Sequence, residues 1–131
     1  MFGKSIYVKK SNICDGYGIF SKRKIYKDEI ISWYYGKIVN NENIQNNKYA
    51  IEYGINNEKI LLGISDINKI TYGKGLAQFA NDAICYDLTY KNNNSYFLQK
   101  GRYILLIASS DISKSEEILV SYGIDYWVNE I

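Results

Sequence analysis

The sequence contains no histidine and no proline, and it has only two cysteines. The absence of histidine removes the commonest general base, the commonest metal ligand and every catalytic triad that is built on histidine. Cys14 and Cys85 are too few for a disulfide framework or a four-cysteine zinc site. We therefore expect no metal site, two buried free thiols and a reducing, intracellular location, either nuclear or cytoplasmic.

Long apolar runs and a large excess of one charge are also missing. No run approaches the length of a transmembrane helix, and the first ten residues have no apolar stretch that resembles a signal peptide, so no membrane association is expected. The net charge of +2 argues against a protein that holds nucleic acid mainly by charge. Hydrophobic residues make up 47% of 131 residues, which suits a single domain spanning residues 1–131.

The chain is rich in β-branched and aromatic residues, including 14 tyrosines, and these fall in short runs bounded by Gly, Asn, Asp or Lys. This pattern predicts a mainly β domain made of several short strands. A short helical turn is expected around residues 75–80, and the asparagine-rich segments 40–47 and 91–95 are predicted to be surface loops. The predicted strands lie in residues 29–34, 48–53, 59–64 and 102–108.

Two short segments have residue types that suit ligand binding. Gly16 and Gly18 flank Tyr17, and closely spaced glycines let a backbone approach a ligand with no Cβ in the way. Asn81 follows an apolar turn and can offer both a donor and an acceptor to a small molecule. Taken singly, each segment is as well explained by an ordinary turn.

A third segment comprises residues 107–123. Its pattern predicts a strand, a turn with the paired acids Glu116 and Glu117, and a second strand that ends at Tyr122. The ordinary interpretation of the two glutamates is a solvated turn, with a structural ion pair of one of them as an open alternative. The order and spacing of the three segments are more specific than any one of them.

Four segments, in order, resemble the SET-domain family of protein-lysine methyltransferases. They cover most of the chain, from Gly16 to Trp127. The matches are GYGIFS from Gly16 for the family's GxGxFA, DEIISWYYGK from Asp28 for GExIxEYxGE, QFANDA from Gln78 for RFINHS, and DISKSEEILVSYG from Asp111 for DIxxGEELxxDYG.

The resemblance implies the SET-domain fold, which is mainly β, with several short β-sheets, short helical turns and a C-terminal pseudoknot. It also implies S-adenosylmethionine-dependent methylation of a lysine on a protein or peptide substrate. Histones, and so chromatin, are the family's usual target, and ribosomal and other proteins are open alternatives. Some compact members pair into dimers, so a homodimer is an open alternative to a monomer. No direct binding of nucleic acid is expected.

The resemblance also assigns roles to individual residues. It makes Tyr122 and Tyr34 the catalytic residues, and it places both in the channel for the substrate lysine together with Phe97. A phenylalanine at position 97, rather than a tyrosine, leaves room for a second and third methyl group. The residues implied in cofactor binding are Gly16, Tyr17, Gly18, Asn81, Asp82 and Trp127.

Chemistry of this kind needs no histidine. The cofactor carries an activated methyl group, and the protein supplies position and electrostatics. Lysine, with a pKa of about 10.4 in water, must lose its proton before it can react. An apolar, aromatic channel disfavours the ammonium form, so the proton can leave through water without a side-chain base.

Several departures from the family pattern keep other functions open. Asp82 and Ala83 stand where the family has His and Ser, and we expect a domain without the cysteine-rich zinc segments that many relatives carry. These changes favour, as an alternative, a catalytically weak or inactive SET-like module that binds a peptide or protein partner. A third alternative is a small β-barrel that stacks nucleic-acid bases on exposed aromatic side chains, although the near-neutral charge speaks against it.

Overall fold

A computed structural model describes residues 5–11, 13–14, 16–40, 50–53, 59–63, 75–83, 93–101 and 103–121. Within these residues the chain forms eight short strands and one 3-10 helix. No helix among them is long and apolar enough to cross a membrane. The elements are β1 (Ile6–Lys10), β2 (Tyr17–Ser21), β3 (Ile30–Trp33), β4 (Gly36–Asn40), β5 (Ala50–Tyr53), β6 (Lys59–Gly63), the 3-10 helix (Ala77–Phe79), β7 (Ser95–Lys100) and β8 (Tyr103–Ala108).

The strands form three small antiparallel sheets. Strands β1 and β2 pair with each other, β8 lies between β3 and β7, and β6 lies between β4 and β5. Each predicted strand segment contains one observed strand, namely β3, β5, β6 and β8, and the predicted helical turn is the 3-10 helix. The mainly β fold class with several short sheets is therefore confirmed. Its cause is that β-branched and aromatic side chains pack well on a pleated, half-buried surface.

The hydrophobic core lies where β2, β8, the 3-10 helix and residues 118–120 meet. Strand β8 is buried from its second residue to its last because it is the central strand of its sheet. Side chains from all four parts belong to one cluster that excludes water, which is the main driving force for this packing. Its members include Ile19, Ile25, Ile31, Phe79, Ile104, Leu106, Ile112, Ile118 and Val120.

Two of the loop and strand predictions are wrong. The segment 91–95 is not a surface loop throughout, because Asn94 and Ser95 are buried and β7 begins at Ser95. Residues 117–120 do not form a strand of a sheet. They make isolated bridges to Phe20, Asn81 and Ser95 instead. The prediction failed because asparagine is usually exposed. Asn94 is buried through contacts with residues that lie more than 20 positions further along the chain.

The prediction of a free thiol at Cys14 is also wrong, because Cys14 is disulfide-bonded. Cys85 lies outside the described residues. The Sγ atom of Cys14 lies 3.7 Å from the carbonyl oxygen of Asp82, so this part of the chain packs beside the second segment. The sequence could not predict the disulfide, because it does not give the distance in space between two cysteines that are far apart along the chain.

Among the residues that the structure describes, two that are not glycine adopt the left-handed backbone conformation. Asp28 has a φ of 74° and Ser115 a φ of 68°, and both stand where the SET pattern has glycine. A backbone hydrogen bond holds each turn, from the Asp28 N–H to the Ala108 carbonyl at 2.8 Å and from the Ser115 N–H to the Ser21 carbonyl at 2.8 Å. The conformation has been kept although the residue type that adopts it without strain has been lost.

We expect Ser115→Gly to stabilise the protein by about 0.5–1 kcal/mol, because relief of the left-handed strain exceeds the entropy that glycine adds to the unfolded chain. Urea unfolding measures the change. The matched control is Ser109→Gly, at an exposed position without a positive φ, which should lower stability instead. Equal losses at the two positions would contradict this account.

Candidate functional site

Residues 117–120 bring the three motif segments together. The N–H of Ile118 donates to the carbonyl of Ile19 in β2 at 2.8 Å, and the N–H of Val120 donates to the carbonyl of Asn81 at 2.8 Å. The segment that leads to Tyr122 is therefore hydrogen-bonded to both of the other segments. The positions of the three segments along the chain do not by themselves predict these hydrogen bonds.

Asn94, just before β7, holds the same segment from the other side. Its Oδ1 accepts from the Leu119 N–H at 2.8 Å, and its Nδ2 donates to the Glu117 carbonyl at 3.0 Å and to the Glu116 carboxylate at 3.2 Å. Its own N–H donates to the Leu119 carbonyl at 3.0 Å. Asn94 thus binds the backbone of residues 117–119 as a neighbouring strand would. It was not among the predicted site residues.

Asn81 joins the first segment to the third through its side chain. Its Nδ2 donates to the Tyr17 carbonyl at 3.0 Å and to Oε2 of Glu117 at 3.1 Å. The Glu117 carboxylate also accepts from the Ser11 hydroxyl, which lies 3.0 and 2.9 Å from its two oxygens. Glu117 is buried, so the prediction that both glutamates lie in a solvated turn is wrong for this one.

The two glycines of the first segment are required for different reasons. Gly16 has a φ of 85°, a conformation that side chains rarely adopt. A Cβ built at Gly18 would overlap with Oε2 of Glu117 and lie 3.1 Å from Nδ2 of Asn81. At Gly18 the absent side chain therefore makes room for a buried carboxylate of the protein itself. Tyr17, between the glycines, is 43% exposed.

Asp82 stands where the family pattern has histidine, and it is buried. Its carboxylate accepts from Nδ2 of Asn93 at 3.0 Å, while Oδ1 of Asn93 accepts from the Ala83 N–H at 2.9 Å. The Asp82 side chain is thus bound within the protein. Any contact of this position with a cofactor would fall to the main chain.

Tyr34 and Phe97, two of the three residues assigned to the lysine channel, are in contact. Their rings meet edge to face, with centroids 5.9 Å apart and planes inclined at 71°. Tyr34 is buried, and its N–H donates to the carbonyl of Ile104 in β8 at 2.9 Å. Phe97 is half-buried on β7, the other neighbour of β8. The sheet therefore brings the two aromatic side chains together.

Gln78 replaces the arginine of the family pattern and lies beside Tyr34. Its Oε1 accepts from the Tyr35 N–H at 3.0 Å, and its Nε2 donates to the Gly75 carbonyl at 3.2 Å. A Cβ at Gly63 would lie 2.6 Å from Cβ of Gln78 and 3.0 Å from Cε1 of Tyr34. The glycine therefore allows both side chains to pack against β6.

Tyr122 and Trp127 lie outside the described residues. Their catalytic and cofactor-binding roles stay predictions. The described backbone reaches Ser121, the residue before Tyr122, which is exposed.

A surface ion pair in the described part of the chain lies outside these contacts. Arg23 and Glu29 form an ion pair at 2.8 Å beside the Asp28 turn. The hydrogen bond from Arg23 lowers the pKa of the Glu29 carboxyl, helped by the N–H of Tyr26. The Arg23 side chain is 53% exposed and that of Glu29 is 31% exposed, so water screens the pair and it adds little stability.

We expect Asn94→Ala to lower the free energy of unfolding by about 2–4 kcal/mol, because it leaves the buried N–H of Leu119 and carbonyl of Glu117 without this partner. The matched control is Gln99→Ala on β7, the strand that follows Asn94. Within the described residues, its exposed side chain bonds to the Gly101 carbonyl alone, at 3.3 Å. That variant should change stability by no more than about 0.5 kcal/mol. Similar urea midpoints for the two variants would show that Asn94 does not hold the segment.

Comparison with known proteins agrees with this arrangement. The SET domain family model matches residues 16–123. A solved structure of a Plasmodium falciparum protein, described as a histone methyltransferase, is 30% identical with a TM-score of 0.63, and the match covers 95% of this chain and 97% of that one. The methyltransferase domain of human PR domain-containing protein 2 has the same fold, with 22% identity, a TM-score of 0.68, and coverage of 92% and 78%. No curated protein matches the sequence. The chain belongs to the SET-domain family.

Proposed function

We propose that this protein transfers a methyl group from S-adenosylmethionine to a lysine side chain of a protein substrate. The observation that carries the proposal is the position of residues 117–120, hydrogen-bonded to β2 and to Asn81, which brings the three motif segments to one place. The two solved structures named above are described as methyltransferases, which supports the same reaction type.

The donor and acceptor chemistry around Asn81 fits the cofactor. Both N–H bonds of its amide are directed at acceptors, the Tyr17 carbonyl and the Glu117 carboxylate, so Oδ1 is the atom left to accept a hydrogen bond. The amino acid end of S-adenosylmethionine carries an ammonium group, which only donates. Gly16, Tyr17 and Gly18 would hold the same end of the cofactor, and Trp127 and the main chain at Asp82 its adenine.

S-adenosylmethionine supplies a methyl group that is activated on a positively charged sulfur. The protein's own residues have to present the lysine as a neutral amine. Tyr34 and Phe97 would form an apolar, aromatic wall that disfavours the ammonium form of the lysine. In this proposal, the Tyr122 hydroxyl orients the amine for in-line attack, and the proton leaves through water.

A histone is the substrate that we propose to test first, with a nuclear location and action on chromatin as the consequence. The support is the description of the Plasmodium falciparum relative as a histone methyltransferase. A peptide array analysed by mass spectrometry would identify the methylated protein class. Methylation confined to other proteins would move the proposal to a different substrate without changing the reaction.

A catalytically weak or inactive SET-like module that binds a peptide remains the second candidate. The specific observation in its favour is that Asp82 replaces histidine and its buried carboxylate is bound to Asn93. Calorimetric titration with S-adenosylmethionine separates the two candidates. A protein that binds no cofactor would be the module, and a protein that binds it in the micromolar range would support the enzyme.

We expect Tyr122→Phe to lower the rate of methyl transfer by at least about 100-fold, the effect of losing one aligned hydroxyl at a reacting centre. Cofactor affinity and the unfolding temperature should stay close to those of the wild type. Tyr26→Phe is the matched control, since Tyr26 is exposed and lies outside the site. A Tyr122→Phe variant as active as the control would remove Tyr122 from the mechanism.

We expect Phe97→Tyr to shift the product from di- or trimethyl-lysine towards monomethyl-lysine. The added hydroxyl would retain a water molecule and crowd the amine beside Tyr34. Intact-mass analysis of a methylated peptide over time measures the product distribution. Tyr96→Phe, the neighbouring residue on the opposite face of β7, is the control and should leave that distribution unchanged. An unaltered distribution in Phe97→Tyr would exclude this role.

A further inference from the structure

The Glu117 carboxylate is buried at the junction of the motif segments, with 5% of the residue exposed. Its neighbours are the Asn81 amide, the Ser11 hydroxyl and the Cα of Gly18, which needs to lack a side chain to make room for it. Among the described residues, no lysine or arginine forms an ion pair with it. A buried carboxylate held by two neutral donors is an expensive way to fill space, so packing alone does not explain it.

What this carboxylate does control is the orientation of Asn81. A carboxylate only accepts hydrogen bonds, and so does the carbonyl of Tyr17, the second partner of the same amide. Together they bind Nδ2, at 3.1 and 3.0 Å, and turn Oδ1 away from themselves. Because one partner is ionised, the hydrogen bond is stronger than a bond between neutral groups.

The carboxylate itself is held in place from behind. Ser11 donates to it, and the Ser11 hydroxyl in turn accepts the N–H groups of Ile13 at 3.2 Å and Cys14 at 3.0 Å. On the other side, the backbone of Gly18 lies against Oε2. The acid is therefore supported by a second layer of contacts, as side chains that orient a ligand-binding group commonly are.

We propose that Glu117 is a positioning residue of the cofactor site, which acts by holding the Asn81 amide with its Oδ1 directed at the ammonium group of the cofactor. This inference rests on the proposed function. An Asn81 amide that is free to rotate would present its N–H groups to a cationic ligand for part of the time. Glu117 removes that unproductive orientation before the cofactor binds.

The test is a double-mutant cycle read by calorimetric titration with S-adenosylmethionine. The proteins are the wild type, Glu117→Gln, Asn81→Ala and the double variant. We expect each single variant to weaken binding by about tenfold or more, the effect of losing one charge-assisted hydrogen bond. The double variant should bind within about twofold of Asn81→Ala, because Glu117 acts through the residue that is already missing. A merely structural glutamate would give multiplied losses of about 100-fold.

The outcomes separate this inference from the proposed function. If the wild type binds no S-adenosylmethionine, the proposed function fails and the inference falls with it. If the wild type binds and Glu117→Gln binds equally well, or if the losses multiply, only the inference is overturned. Glu29→Gln, the same chemical change at the ion pair with Arg23 outside the site, is the matched control and should bind within about threefold of the wild type.

Should Glu117→Gln fail to fold, Glu117→Asp takes its place in the same cycle. This variant keeps the charge but is one methylene too short to reach Asn81 in the observed geometry. The inference is supported if Glu117→Asp alone weakens binding and if the same change adds no further loss to Asn81→Ala. Unchanged or multiplied losses would overturn it.

Discussion

The hydrogen bonding of residues 117–120 is the constraint on which the rest of the site depends. This segment belongs to no sheet, yet Ile118, Leu119 and Val120 are fully buried. Buried N–H and carbonyl groups must find partners. Here the partners come from β2, from Asn81 and from Asn94, three parts of the chain that are far apart in sequence. Satisfying these few backbone groups therefore assembles the three motif segments.

Polar contacts elsewhere in the structure explain how the fold tolerates departures from the family pattern. Asp28 and Ser115 keep a left-handed backbone without glycine, because hydrogen bonds to Ala108 and Ser21 hold the turns. Gln78 replaces arginine by bonding to two backbone groups beside Tyr34. Asp82 replaces histidine by pairing with Asn93. In each case a local polar contact compensates for the lost residue, so the path of the backbone is retained.

The proposed function gives the candidate site a cofactor to bind without any histidine. Its parts are amides, hydroxyls, main-chain carbonyls and one buried carboxylate, together with an edge-to-face pair of aromatic rings. These groups orient neighbouring groups by hydrogen bonds and by packing. That division of work suits a reaction in which the cofactor carries the activated group.

The sequence by itself determined the mainly β class, the positions of four strands and one helical turn, and the family. These are local properties, since periodicity and turn residues act over a few neighbours, and the motif order survives without a structure. Only the tertiary structure decided that Asn94 and Glu117 are buried, that Cys14 is disulfide-bonded and that Gly18 accommodates a carboxylate. Each of those facts depends on a contact between residues far apart along the chain, and a single sequence carries no measure of such distances.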